Sequence, residues 1–455
     1  MNNAAVNPKV ILFISAFAAF IATFNETYLN VAFTPIAEAF SVDLVTVKWL
    51  TAAYMLGAAV MVPVSAHLYR RFKTRHIFFA SLLLLIAGSA VSALSVSFPM
   101  LLIGRIIQSV GTGILIPLGM NINVECAPKE KLGKYLGIVV AMTTIGPSVS
   151  ILVSGGVLSF TDWRMLFWIY AVLALICLIS GAIHLKNVAK LTHPKLDVLS
   201  VTLVGLGLIG VMYGISTLFT GDFLFACLSI VIGLVLIVLF LIRQRRPAPL
   251  VSLQPLKHPV FSIGIVITLL PIIAMFALNI VLPYYLQHDL GVAPITASLT
   301  IFPAILLSSV FSPIAGRICD RHGPAFLLPA GFVLMGAFSV LLAAFISTGN
   351  VILFALLYIP VICGSSIILG PVQSFILSKI PAGQQAHGVV ILCIGFQIAG
   401  CIGSSVFTGI FSLFEGLSGE TAFACTAGIV SLCMILGLIL SLIMSGISRK
   451  ERAAA

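Results

Sequence analysis

The sequence predicts an all-α membrane protein of fourteen transmembrane helices, arranged as two six-helix bundles with a two-helix insertion between them. Three observations lead there. Of the 455 residues, 60% are hydrophobic and 8% charged, against about 25% charged in an ordinary soluble domain, so a soluble fold is excluded. A transmembrane helix needs about 20 mostly apolar residues, and stretches of that kind fill the chain between short polar breaks. The basic residues cluster in those breaks, where a membrane protein carries them in its cytoplasmic loops. The net charge of +11 therefore needs no nucleic acid as partner.

Taken in order, the first bundle occupies residues 1–187. Span one covers 10–33; Val10 to Phe24 is apolar enough for a signal peptide, but a single flanking Lys9 and the many later apolar runs make it a first, uncleaved span. Span two (44–67) stops at the basic run Arg70, Arg71, Lys73, Arg75, and span three (76–96) follows it. Span four (99–124) ends at Glu125, and span five (132–158) begins after Lys129 and Lys131. Span six (164–184) runs into the polar stretch Lys186 to Lys195. Residues 188–257 hold the insertion, spans seven (197–218) and eight (222–242), closed by Arg243 to Pro259 with its four prolines. The second bundle, 258–455, holds spans nine to fourteen at 260–287, 294–316, 325–347, 351–378, 386–413 and 421–447.

An even number of spans places both termini on one side. With that side cytoplasmic, all 24 basic residues except Lys48, Arg164 and Arg105 fall in or beside cytoplasmic segments, as Lys and Arg retention requires. The expectation is a multi-pass protein of the cell membrane with both termini in the cytoplasm. Two six-helix halves are the pattern of transporters built from repeats. An internal echo agrees: Ala66-His67-Leu68-Tyr69-Arg70-Arg71 aligns with Gly316-Arg317-Ile318-Cys319-Asp320-Arg321.

Charges inside the bilayer are costly, about 2.5–3.5 kcal/mol or more, and usually mark function. Two stand out, Glu26 in span one and Arg105 in span four. At 1.5 Å per residue they lie roughly 10 Å and 9 Å from the same outer boundary, so they share a depth. Helical spacing adds Thr23 and Asn30 to the face of Glu26, and Gln108 and Thr112 to that of Arg105. One reading is a fixed ion pair or a pair of solvated helix ends. The other is that Glu26 loads and releases a proton, since burial and a nearby guanidinium act on a carboxyl in opposite senses. The same carboxylate could hold a cationic substrate.

Other signatures are set aside. Gly205-Leu206-Gly207-Leu208-Ile209-Gly210 has dinucleotide-fingerprint spacing but no strand before it, so it reads as helix packing. Asn25-Glu26-Thr27 is a sequon inside the membrane. No phosphate-binding Gly-x4-Gly-Lys-Ser/Thr loop occurs, which excludes an ATPase of that kind within the chain. The nine cysteines lie mostly in apolar runs without metal-ligand spacing. No nucleophile-and-base arrangement, metal site or cofactor is expected, and hence no enzyme.

The residues resemble the major facilitator superfamily, and within it the fourteen-span drug:proton antiporters, over essentially the whole chain. Leu101 to Gly113, centred on Arg105, is similar to the family's fourth-helix motif, whose arginine the resemblance implicates in proton coupling. Gly137, Gly146-Pro147 and Gly155-Gly156 resemble the fifth-helix antiporter motif. Asp162 to Phe167 looks like the loop before helix six, Lys195 to Ser200 like the entry to helix seven, and Gly316 to Gly323 like a cytoplasmic gating loop with Asp320 and Arg321. The departures are specific. Where the first-helix motif has its acid this chain has Asn25, and Glu26 is displaced by about 100° around the helix. Arg70 and Lys73 stand where the first gating loop has aspartate and glycine, which weakens or inverts any charge–dipole latch there. Ser150-Ile151 replaces a second Gly-Pro.

The resemblance implies a proton-coupled exporter of lipophilic, often cationic compounds, a monomer in the lipid bilayer that works by rocking of the two bundles. Gly146-Pro147 supplies a bend and a tight seam in either a moving or a static helix. Candidate cavity residues are Phe24, Asn25, Tyr28, Asn30, Tyr54, Gln108 and Thr112 in the first half, and Phe276, Asn279, Tyr284, Gln373, Phe396 and Gln397 in the second. Aromatic faces suit both apolar and cationic groups. A narrow-specificity exporter of a metabolite, lipid or siderophore would use the same fold, and a non-transporting receptor or assembly factor is the alternative outside transport.

Overall fold

In a computed structural model of the protein, residues 8–454 are described apart from 43, 129, 130, 159, 186, 188–190, 192–196, 219–222, 247 and 248. The first seven helices are α1 (Pro8–Thr27), α2 (Phe33–Phe40), α3 (Leu44–Arg71), α4 (Thr74–Ala93), α5 (Phe98–Cys126), α6 (Leu132–Leu158) and α7 (Arg164–His184). A hairpin of α8 (Val198–Thr217) and α9 (Phe223–Arg243) follows. The remaining helices are α10 (Pro259–His288), α11 (Pro294–His322), α12 (Leu327–Phe345), α13 (Val351–Ser378), α14 (Ala382–Cys401), α15 (Phe407–Glu415) and α16 (Gly419–Ala454). Along these helices lie fourteen stretches long and apolar enough to cross a membrane, α14 and α15 sharing one and α2 forming none. Both ends of the described chain therefore lie on one side, here called the terminal face.

One expected span is interrupted and another carries a π turn. Span one ends at Thr27, and the chain turns through a 3-10 segment, Tyr28–Val31, into α2. The apolar run to Phe33 conceals this turn, which α6 holds from outside: Thr27 Oγ1 and Ser150 Oγ are 2.8 Å apart, and Ser154 Oγ donates to the Tyr28 carbonyl at 2.7 Å. Span thirteen runs on through a π-helical turn at Ile402–Val406 between α14 and α15, and Ala382–Phe411 forms one candidate span. Of the stretch Lys186 to Lys195 only Asn187 and Leu191 are described, and the expected entry to helix seven is described from Asp197 onward.

Bare backbone lets neighbouring helices close up where lipid gives no hydrophobic drive for association. At the α8–α9 crossing, a Cβ on Gly233 would lie 2.6 Å from Val211 N and 2.7 Å from the Gly207 carbonyl oxygen. The Gly205-x-Gly207-x-x-Gly210 pattern is thus a packing seam. The hairpin lies along α3, where Tyr213 stacks on Trp49 with centroids 5.7 Å apart, and reaches the π turn, where Ser216 Oγ is 3.4 Å from Ser405 Oγ. Most of α9, including Leu228, Val231, Val235 and Leu239, is exposed, as suits a helix facing acyl chains.

The terminal-face end of the hairpin is tied by one carboxylate. Asp197 caps α8 by accepting from Ser200 N and Oγ at 3.3 and 2.7 Å, and takes Arg243 Nε and Nη2 at 2.8 and 2.7 Å. The Arg243 guanidinium, then the Ser200 hydrogen bonds, hold its carboxyl well below the usual carboxylate range. A depressed folded-state pKa stabilises the fold above the unfolded carboxyl pKa and loses that contribution as pH falls through the folded value. Asp197→Ala is expected to cost about 1 kcal/mol, the worth of a cap. A thermal unfolding midpoint should fall at pH 7, and the gap to the unaltered protein should shrink only in strong acid.

Candidate functional site

Arg105 organises the first half. It is fully buried, and a buried guanidinium carries a desolvation cost of several kcal/mol unless its donors are met. Nη1 donates to Asn25 Oδ1 at 2.9 Å, to the Asn25 carbonyl at 3.2 Å and to Gln108 Oε1 at 2.9 Å, while Nε reaches the Leu50 carbonyl at 3.4 Å. Its guanidinium carbon lies 4.1 Å from the Tyr54 ring centroid and 5.5 Å from that of Tyr28. Gln108 Nε2 passes the chain on to Ser89 Oγ at 2.8 Å, and Tyr54 Oη meets Thr112 Oγ1 at 2.5 Å. The helical spacing of Arg105, Gln108 and Thr112 thus forms one buried polar stripe.

The expected partner is not the one that arrives. No ion pair joins Glu26 to Arg105 among the described residues; Asn25 occupies that contact. The 100° step between neighbouring residues explains it. Asn25 faces α5. Thr23 and Thr27 face α6, and Phe24 and Tyr28 face α7, stacking on Tyr170 at 6.3 and 5.7 Å. Glu26 falls between the α5 and α6 faces and opposite the α7 face, so it points toward the interior of the assembly. It is half-buried and within electrostatic reach of Arg105 and Tyr54. Arg105 is thus held by neutral acceptors, and among the described residues Glu26 has no salt bridge. Such a carboxyl can change protonation without breaking the buried network.

The other candidates divide by location. Phe24, Tyr28 and Tyr54 are buried in the first half. Phe276 and Phe396 pack in one apolar cluster with Val140 of α6, Ile272, Leu369 and Ala399, which bridges the halves. Asn279 accepts from Tyr358 Oη at 2.7 Å inside the second half. Gln373 is buried and Gln397 half-buried. Tyr284 packs edge-on to Phe411 of α15, with centroids 5.5 Å apart, away from the cluster. The side chain of Asn30 lies outside the described residues.

The halves are clasped near the terminal face. Asp320 of α11 caps α6 of the opposite half, with Oδ1 accepting from Gly133 N at 2.9 Å and Oδ2 from Lys134 N at 3.1 Å. A carboxylate on a helix N-terminus is favoured by the helix dipole and by otherwise unpaired N–H groups. One turn further in, Ser312 Oγ donates to the Gly137 carbonyl at 2.8 Å. Cys393 Sγ of α14 meets Met120 Sδ of α5 at 3.6 Å. Gly146 lets α6 approach α1, since a Cβ there would strike Thr23 and the Phe20 carbonyl oxygen; Pro147 follows within an unbroken α6, and Arg321 is exposed. The Met120–Cys393 contact carries no sequence signal, whereas Asp320 was marked by its motif.

This fold, two six-helix halves clasped at one face around a half-buried acid and a fully buried arginine, defines a multi-pass membrane transporter. The Major Facilitator Superfamily profile matches residues 15–404, and the chain belongs to that family. It is 32% identical over 92% of its length to the lincomycin resistance protein LmrB of Listeria monocytogenes, covering 89% of that protein. It is also 32% identical to LmrB of Bacillus subtilis, over 87% of this chain and 84% of that one. The solved structure of the proton:xylose symporter XylE with a bound bromodeoxyglucose shares the fold, with a TM-score of 0.70 at 15% identity over 96% of this chain and 95% of that one.

Proposed function

We propose that the protein is a proton-coupled antiporter that exports lipophilic, often cationic, toxic compounds across the cytoplasmic membrane, with its terminal face in the cytoplasm. The observation that carries this reading is Glu26, an acid inside the membrane, aimed into the assembly and free of the Arg105 network. Membrane-embedded acids of this kind are costly and mark ion pathways. The drug-resistance names of the LmrB relatives support export of toxic compounds, and the bias of Lys and Arg toward the terminal face supports its cytoplasmic placement.

Rocking of the halves about the Val140–Phe276–Phe396 cluster would break the Asp320 clasp and expose Glu26 alternately to the two sides. The halves are residues 1–187 and 258–455, with 188–257 inserted. One charge crossing about 100 mV is worth about 2.3 kcal/mol, and a tenfold gradient about 1.4 kcal/mol. A single proton exchanged for a neutral compound therefore sustains a gradient of about 40-fold. Against a monovalent cation the exchange is electroneutral, and only the pH difference drives it. In cells expressing the protein, a lipophilic cationic dye such as ethidium is expected to be kept out and to enter when a protonophore is added. Exclusion that survives the protonophore contradicts proton coupling.

A further inference from the structure

The two gating loops are echoes in sequence, yet the structure closes them with unlike devices. On the α6–α11 side the acid of the motif, Asp320, caps the opposite helix. On the α3–α14 side the corresponding acid position holds Arg70, which cannot cap a helix N-terminus. Arg70 Nη2 instead donates to the carbonyls of Pro249 and Leu250, at 3.4 and 3.2 Å, in the linker between α9 and α10. Two residues further along, Ser252 N donates to Nδ1 of His387 on α14 at 3.0 Å, and Gln384 Nε2 of the same helix donates to Gln254 Oε1 at 2.6 Å. Leu250 and Val251 are buried between these attachments, and the buried Gln244 Oε1 accepts from Val251 N at 3.1 Å. The segment Pro249–Gln254 is thus held by the first half at one end and the second half at the other.

We infer that this linker segment is the second latch of the terminal face, a strap that Arg70 and His387 hold across the α3–α14 seam in place of the missing carboxylate cap. The reversed charge at position 70 is then functional: a guanidinium needs carbonyl acceptors, and the strap supplies two. Separation of α3 from α14 must break either the Arg70 or the His387 attachment, so the strap and the Asp320 clasp open together. The prolines of the linker suit this role, because a strap with few backbone conformations loses little entropy on docking.

Cys393 of α14, buried against Met120 of α5 beside that seam, reports opening between the halves. In a variant with the other eight cysteines replaced by serine, Arg70→Ala is expected to raise the rate of Cys393 modification by a water-soluble maleimide several-fold. His387→Leu should do the same, and Arg70→Lys should fall between. A rate unchanged in Arg70→Ala, while Asp320→Asn raises it, overturns the strap. Hydrogen exchange on the chain with native position 70 gives a second reading that does not depend on a damaged strap. Asp320→Asn, which loosens only the other clasp, should speed exchange of the Val251 and Ser252 amides several-fold if the two latches are one gate. Unchanged exchange at those amides overturns the coupling.

Discussion

Glu26→Gln is expected to abolish proton-driven efflux while leaving the protein folded in the membrane. The substitution keeps the size of the side chain and removes the exchangeable proton. Glu26 makes no hydrogen bond with Arg105, whose Nη1 and Nε donate to Asn25, Gln108 and Leu50, so those bonds should survive the change. Exclusion of the dye should be lost to the level of cells treated with a protonophore, and Glu26→Asp should retain part of it. Full efflux by Glu26→Gln at equal membrane abundance would show that the proton travels by another group.

Gly316→Val has the second largest expected effect, and it acts on the gate. A Cβ at this position would run into the Gly133 carbonyl oxygen of the opposite half, with Lys134 N close behind. These are backbone atoms at the start of α6, beside the amides that Asp320 caps, so no side-chain rotation relieves the clash. Overpacking costs about 1–3 kcal/mol, which moves an equilibrium between closed and open terminal faces by roughly 5- to 150-fold. Transport should drop accordingly, and Cys393 should become open to a water-soluble maleimide. Gly383→Val, where a Cβ meets nothing within 4 Å, is the matched control and should transport normally. Normal transport by Gly316→Val would mean that the α6–α11 seam does not have to close.

The helices were legible because bilayer thickness writes itself as runs of apolar residues, and the insertion because the breaks on either side of it are basic and proline-rich. Where the turn is made by tertiary contact, the run of apolar residues misleads. The 3-10 turn after Thr27 is held by Ser150 and Ser154 from α6, and nothing in Tyr28 to Val31 announces it. The π turn at Ile402–Val406 leaves no mark in the sequence either, though it does not end the span. The site was half legible. Depth and charge singled out Glu26 and Arg105, but depth along a helix says nothing of direction around it. The 100° between Asn25 and Glu26 decides which side chain meets the guanidinium. Tyr28 and Tyr54, candidates for a cavity wall, face Arg105 from within the first half, because an aromatic ring under a buried cation and one lining a cavity look alike in sequence. The strap could not be read at all, since its carbonyls carry no side-chain signature.

Proton release from the purified protein decides whether Glu26 is the exchanging group. On addition of ethidium to the detergent-solubilised protein in weakly buffered solution, about one proton should be released per ethidium bound, and none from Glu26→Gln. Equal release from both proteins would contradict it, because the exchanging group would then lie elsewhere.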